Sequence, residues 1–267
     1  VGKMVNKGFE LELNYGDNVN GFEYNVGLNL STIKNEMLKA DPNQILYGSA
    51  WKGDGHAVTQ TLKGYPVAGF WLYQADGLFQ SDAEAAAYVN SKGERLQPNA
   101  YAGDVRFVDT NGDGSIDSSD KVYSGSGIPK VEANLSFSGA YKNFDLSFQF
   151  GSAWGHKLYN VNRLYYEGMD AGRNFFKTTL DAWTPQNTHT DMPRAVLNDL
   201  NQNTRESTRF LENGNFVRLR QLQLGYSLSR TIAKKIYLEK CRLYVSGENL
   251  SLSPSIQALI LSFLQAS

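Results

Sequence analysis

Apolar and polar residues alternate along much of the chain. In "FELELNY" Phe9, Leu11, Leu13 and Tyr15 share one side, and Glu10, Glu12 and Asn14 share the other. After "DNVNG", Tyr24, Val26, Leu28 and Leu30 alternate with Asn25, Gly27, Asn29 and Ser31. A period of two, broken by an Asn-Gly step, predicts a long antiparallel hairpin. The pattern returns at Ala133, Leu135 and Phe137, and after "YKN" at Phe144, Leu146, Phe148 and Phe150. In "NFVRLRQLQLGYSLS" the residues Leu222, Leu224, Tyr226 and Leu228 share a parity with Arg218 and Arg220. The apolar side therefore changes near Gln221, which predicts a β-bulge there. "CRLYVSGENL" reads as a last strand.

Two long segments, roughly 34–130 and 153–215, break this rhythm. Within the first, "SDAEAAAYVNSKGE" predicts a short helix, with Ser81 as N-cap and Glu84 completing a capping box. "NFFKTTLDAW" predicts a second. Loops this long are out of place in a compact domain, but outer-membrane barrels pair short periplasmic turns with long outer loops.

Composition agrees with strands and turns. There are 25 Gly, 15 Tyr and 14 Phe against 4 Met, with 41% hydrophobic residues. The polar sides of the strands carry Asn, Ser, Gln and Gly more than full charges. That suits the lumen wall of a transmembrane barrel, whose other side meets lipid. A soluble sandwich also alternates, and alternation leaves both readings open. Tyr15, Tyr24, Tyr141, Trp154, Tyr226 and Tyr244 lie near strand ends, where a barrel places its aromatic girdles. The net charge of −1 offers no field for nucleic acid. The lone Cys241 precludes an internal disulfide framework. No apolar run reaches the roughly 18 residues of a spanning helix; "IQALILSFL" is the nearest. The opening residues lack the apolar core and cleavage site of a signal peptide, and a chain that opens on a strand reads as a fragment.

One stretch, "DTNGDGSIDSSD", has the spacing of a calcium loop. Asp109, Asn111, Asp113, Asp117 and Asp120 occupy its first, third, fifth, ninth and twelfth places, Ser115 supplies a carbonyl at the seventh, and Gly114 the sharp turn at the sixth. An Asp at twelve is nearer to dockerin-like loops than to an EF-hand, and "DVRFV" before it reads as a strand where an EF-hand needs a helix. The bland alternative is an Asx-rich turn held by its own hydrogen bonds. Phe70, Trp71, Tyr73 and Phe79, in "GFWLYQADGLFQ", offer flat faces to a sugar ring, or simply pack a loop. Catalysis finds little support. His56, His156 and His189 are isolated, and there is neither a Gly-x-Ser-x-Gly elbow nor a P-loop. Glu10 and Glu12 read as a solvated wall sooner than a glycosidase pair.

The order of the segments adds a resemblance. "NKGFELELNY", "LKGYPVAGFWLYQADGLFQS", "NAYAGDVRFVDTNGDGSIDSSDKVYSGSGIPK", "LDAWTPQNTHTDMPR", "TRFLENGNFVRLRQLQLGYSL" and "CRLYVSGENL" follow one another over residues 1 to about 250. This series resembles the C-terminal barrel part of the SusC/RagA family of TonB-dependent outer-membrane transporters. The resemblance implies an all-β fold, an antiparallel fragment of a 22-stranded transmembrane barrel with long extracellular loops. It further implies an outer-membrane location, lipid around the barrel, a SusD-like surface lipoprotein as partner, and a TonB complex acting through a plug domain. The cargo would be a glycan or a peptide, and no enzymatic step is expected. Residues 251–267, "SLSPSIQALILSFLQAS", depart from the family; a truncation or frameshift would account for that tail. The rival expectation is a secreted, Ca2+-stabilised, β-rich carbohydrate-binding module.

Overall fold

A computed structural model of the chain describes residues 2–40, 46–48, 57–170, 172, 174–235 and 237–254. His56 and residues 255–267 lie outside them. In chain order the strands are β1 (Lys3–Val19), β2 (Phe22–Lys39), β3 (Leu46–Tyr47), β4 (Thr59–Thr61), β5 (Gly69–Leu72) and β6 (Ala75–Leu78). Helix α1 (Asp82–Ala87) precedes β7 (Val105–Phe107), β8 (Val122–Gly125), β9 (Val131–Tyr141), β10 (Phe144–Trp154) and β11 (Lys157–Tyr159). Helix α2 (Val161–Tyr166) leads to β12 (Leu211–Asn213) and β13 (Phe216–Ser227), and α3 (Arg230–Lys235) to β14 (Arg242–Pro254). The chain divides into two compact units, one chiefly Met37–Gly127 with Leu158–Glu212, the other Met4–Glu36, Ile128–Lys157 and the chain from Asn213.

The second unit is one antiparallel sheet in the order β1-β2-β9-β10-β13-β14. The predicted hairpins are its neighbouring strands. Asn20 and Gly21 both take positive φ, 52° and 82°, so the "NG" step closes β1 onto β2 as the hairpin signal requires. Register is continuous across the sheet. Val26 faces Phe137, Phe137 faces Phe148, and Phe148 faces Leu222. One residue along, Asn25 faces Ser138, Ser138 faces Ser147, and Ser147 faces Gln223. Directly opposed residues share a face, so one side of the sheet is apolar and the other polar through five strands. The expected bulge lies between Leu219 and Gln221, where Arg220 is the extra residue. β14 runs on to Pro254, past the boundary at residue 250 expected from the sequence.

Along the sheet, the short links β1–β2 and β9–β10 lie at one end. The two long segments leave from the other, beyond the Thr32–Val131 and Ala153–Phe216 pairs. These segments are not irregular loops, because they make up the first unit. It contains a four-stranded sheet β3-β4-β5-β8 and the ladders β6-β7 and β11-β12. Its apolar core joins Leu78, Val105, Phe107 and Trp183, with Phe79, Ala85 and Ala100 in a second cluster. Gly103, at φ +84°, lets the Trp183 ring lie on the backbone, since a Cβ there would come within 2.5 Å of Trp183 Cε3.

Helix α1 forms with Ser81 as N-cap, its hydroxyl accepting from Glu84 N at 3.1 Å. The Glu84 carboxylate accepts from Gln80 N at 2.7 Å, not from Ser81 as a capping box has it. The helix ends at Ala87, because Asn90 and Glu94 close a turn instead, Asn90 N donating to Glu94 O at 2.8 Å. The second predicted helix is a single 3-10 segment, Lys177–Asp181.

Candidate functional site

The loop from Asp109 to Asp120 folds around its own side chains. Asp109 accepts from Gly112 N at 2.7 Å and Gly114 N at 2.9 Å, and Asn111 accepts from Asp113 N at 2.8 Å. Asp113 accepts from Ser115 N at 2.9 Å, and Asp117 from Ser119 N at 2.8 Å, which holds the Asp117 carboxyl below its ordinary value. Asp120 is fully buried; one oxygen accepts from Thr110 N at 2.7 Å and the other from Asp117 N at 2.9 Å. Gly114 has φ +90°, as position six demands. These Asx turns close the loop by backbone hydrogen bonds, with Ile116 packed on the first core. Among the described residues no group of three or more His, Cys, Asp or Glu is arranged to hold a metal ion. The oxygens offered by this loop come from Asn and Ser as well as Asp, and the donors they meet are its own N–H groups.

The aromatic series is largely core. Phe79 is fully buried against Ala85, Ala100 and Tyr88, and Phe70 is nearly so, stacking at 6.4 Å on Tyr159. Trp71 meets Tyr65 edge-on at 4.9 Å. Tyr73 lies beneath two cations, Lys121 and Arg205, each 5.2 Å from its ring centre. Only Trp71 and Tyr73 keep part of their surface in solvent. Lys121, directly after Asp120, is 7% exposed and pairs with Glu206 at 3.6 Å, so the acidic loop is tied to the core at its end.

Sequence reasoning missed a buried polar network here. Gln97 Nε2 donates to Val105 O at 2.9 Å, and its Oε1 accepts from Phe107 N at 2.8 Å. Asn203 Oδ1 accepts from Val105 N at 2.8 Å, and Asn201 Nδ2 donates to Val105 O at 3.1 Å. The side chains thus serve β7 as a neighbouring strand would. Asp104, fully buried, receives Arg194 bidentately at 2.8 and 3.0 Å, which raises the Arg194 pKa. A cleft of about 540 Å³ in the same unit is lined by Asp76, Glu84, Arg106, Arg163, Asp191 and Arg209. Glu167 braces it, salt-bridged to Arg163 at 3.1 Å and to Arg209 at 3.7 Å.

The polar face of the six-stranded sheet holds a shallow concavity of about 550 Å³, whose lining includes Asp17, Glu23, Asn25, Ser138, Asp145 and Ser147. At its edge Asp145 accepts from Arg242 at 2.5 and 3.0 Å. Gly225 lies beneath, and a Cβ there would meet both groups, at 2.6 Å in the case of Arg242 Nη2. Tyr244 lies opposite Gly225 on this face, under the Arg242 guanidinium. It therefore does not belong to the aromatic girdle expected of it. The girdle is instead the row Phe22, Tyr141, Phe144 and Tyr226, each directly opposed to the next on the apolar face near the short turns. Alternation carried that signal for Phe22 and Phe144 too, but only the register shows that they align.

An open sheet with one apolar and one polar face, and long excursions from one end, has the anatomy of barrel wall. Comparison with known proteins gives it a family. TonB-dependent receptor P3 of Formosa agariphila is 30% identical over 259 residues, covering 94% of this chain and 24% of that protein. TonB-dependent receptor SusC of Bacteroides thetaiotaomicron is 24% identical over 249 residues, covering 89% of this chain and 22% of SusC. The chain belongs to the TonB-dependent receptors of the SusC/RagA family. The solved RagAB peptide transporter superimposes with a TM-score of 0.72 at 22% identity, over 96% of this chain and 26% of that one. No family model matches the chain. The chain spans about a quarter of the receptors it matches, so its sheet is a section of receptor barrel wall. That accounts for the polar face: in a barrel it lines a lumen.

Proposed function

We propose that the chain supplies wall strands and outer loops to an outer-membrane transporter that imports glycans, or alternatively peptides. A SusD-like surface lipoprotein is its partner at the long-loop end, and a TonB complex drives it from the periplasm. The observation that carries this reading is the two-sidedness of the sheet's central rows, with apolar rows such as Val26, Phe137, Phe148 and Leu222. In water such rows would be a large exposed apolar patch; in lipid they are the required surface. A structural neighbour described as a peptide transporter supports the peptide class, and the glycan class rests on the family resemblance of the sequence. The test is whole-cell labelling of the receptor with a membrane-impermeant maleimide, in a Cys241→Ser background. A cysteine at Leu197, on the long-loop side, labels from outside, and one at Lys142, in a short turn, labels only after the envelope is opened. Equal labelling of both would sink the topology. Uptake of labelled oligosaccharides and oligopeptides by cells with and without the receptor then separates the cargoes.

Ca2+ at Asp109, Asn111, Asp113, Ser115, Asp117 and Asp120 is a second proposal, supported by the spacing and by the Asx turns that curl these oxygens inward. The ion would fix the loop and take no part in transport. The expected outcome is a higher melting temperature in Ca2+ than in chelator, and no such difference in Asp113→Ala. An unchanged melting temperature leaves the loop to its hydrogen bonds.

A further inference from the structure

The link between β13 and β14, residues 228–241, has a composition unlike the other links at its end of the sheet. Arg230, Lys234, Lys235 and Lys240 stand against Glu239 alone. All four cations are exposed, and among the described residues none of them takes an ion-pair partner. Helix α3 ends with Leu238 N donating to Ala233 O at 3.0 Å and Tyr237 N to Lys234 O at 3.1 Å. This paired closure places Tyr237 in the left-handed region, φ +59°, a position that glycine fills without strain. The Tyr237 ring is nevertheless 97% exposed, beside Ile232 at 45% and Leu238 at 44%. A strained backbone is thus spent on holding a bare aromatic ring away from the protein.

The link leaves the sheet just beyond the girdle row of its apolar face. Its flanking strands end on that face with Tyr226 opposite Leu243, the latter 62% exposed, in register with the girdle row of Phe144 and Tyr141. A tyrosine with an apolar body and a polar tip, in a link that carries four exposed cations just beyond a girdle, matches the chemistry of a charged lipid interface. We propose that residues 230–235 and 237–240 form a membrane anchor: Tyr237, Ile232 and Leu238 enter the headgroup layer on the short-turn side, and Arg230, Lys234, Lys235 and Lys240 bind anionic glycerophospholipid headgroups. The anchor fixes the barrel's depth at the β13–β14 hairpin. It rests on the barrel reading above, since only a sheet in lipid brings this link to the surface of a bilayer.

The experiment is performed on the receptor containing this chain, in vesicles of phosphatidylcholine with or without phosphatidylglycerol. Nitroxide labels are placed at Tyr237→Cys and, as the control for the barrel itself, at Phe144→Cys, both with Cys241→Ser. Depth is read from collision with oxygen against a water-soluble nickel chelate. The proposal expects the label at 144 to be shielded in both vesicles, and the label at 237 to become more shielded with phosphatidylglycerol. Replacing the four cations by Gln should abolish that gain and leave position 144 unchanged. A shielded 144 with an equally water-accessible 237 in both vesicles overturns the anchor and leaves the barrel standing. A water-accessible 144 overturns the barrel reading. A gain at 237 that survives the Gln variant overturns the role of the cations. The same depth read from a label at Leu238→Cys, with Tyr237 native or replaced by glycine, gives a second readout. The glycine form should lose the shielding that phosphatidylglycerol adds at position 238, and identical depths count against the ring.

Discussion

At the scale of single residues, the first unit stands on buried charge, and burial sorts its residues into those it tolerates and those it resists. Glu167, 4% exposed, is the shared partner of Arg163 and Arg209, and Arg209 also donates to Asp191 O. Burial lowers the Arg209 pKa to about 10, with Glu167 opposing the shift. Arg163 keeps Glu212 at 3.4 Å, but removing the Glu167 charge leaves the buried Arg209 guanidinium uncompensated, so Glu167→Gln should destabilise the unit by roughly 3–5 kcal/mol, read as a lowered denaturant midpoint. Asp199 is the opposite case. Its oxygens are buried and make no hydrogen bond of good geometry, and desolvation, with the Asp104 and Asp170 charges nearby, raises its pKa. A carboxyl whose folded value is raised favours folding while protonated and loses that contribution as pH rises through the folded value. Asp199→Asn should therefore raise the melting temperature at neutral pH and leave it unchanged below pH 3.8, the ordinary value. An unchanged melting temperature at neutral pH would show that the N–H groups of Asn203 and Thr204 compensate the charge. Neither residue stood out in the sequence, because local pattern carries no trace of partners that are distant along the chain. Phe70 and Phe79 were visible there as aromatics, but stacking surface and core look alike until burial is known.

Elements differ in how much of them was legible. The hairpins were, because a period of two and an Asn-Gly turn are encoded within a few residues of each other. The N-cap of α1 was legible for the same reason. The bulge at Arg220 showed as a change of side, a signal that survives only because both flanks are long enough to set their own parity. Of the short strands β3 to β8 only β7 was legible, in "DVRFV". β5 pairs with β8 and β6 with β7 over long sequence separations, and β7 completes its hydrogen bonding with Gln97, Asn201 and Asn203, whose identity as strand substitutes no window reveals. Element-level reasoning makes one firm prediction, at the end of α3. Tyr237 at φ +59° opposes a backbone preference worth about 1–2 kcal/mol in non-glycine residues. In detergent, where no headgroup layer receives the ring, Tyr237→Gly should stabilise the receptor by about 1 kcal/mol. A loss of stability there would mean that the ring packs against protein.

At the scale of the molecule, the decisive property of the six-stranded sheet is that its central rows each keep one character. Val26, Phe137, Phe148 and Leu222 run across four strands on one face, and Gly27, Ser136, Gln149, Gln221 and Glu248 run across five on the other. Adjacent residues Phe148 and Gln149 therefore face opposite media. A lysine on the lipid face at mid-membrane costs roughly 2–4 kcal/mol, whereas a lumen face accepts one. Phe148→Lys should sharply reduce the folded receptor recovered from outer membranes, and Gln149→Lys should leave that amount near the parent level. The measurement is the fraction that migrates as compact barrel before heating and as extended chain after it. A soluble sandwich would bury Phe148 as well, so a loss there alone does not separate the two architectures. Phe144→Lys adds the dependence on depth that a membrane imposes, because Phe144 stands in the girdle row. Near the interface, lysine costs only roughly 0–1 kcal/mol on the lipid face. A graded series, severe at Phe148, slight at Phe144 and absent at Gln149, is the signature of a membrane normal running along β10. Equal damage at Phe148 and Gln149 would mean that the strand is enclosed on both faces, and the barrel reading would fall.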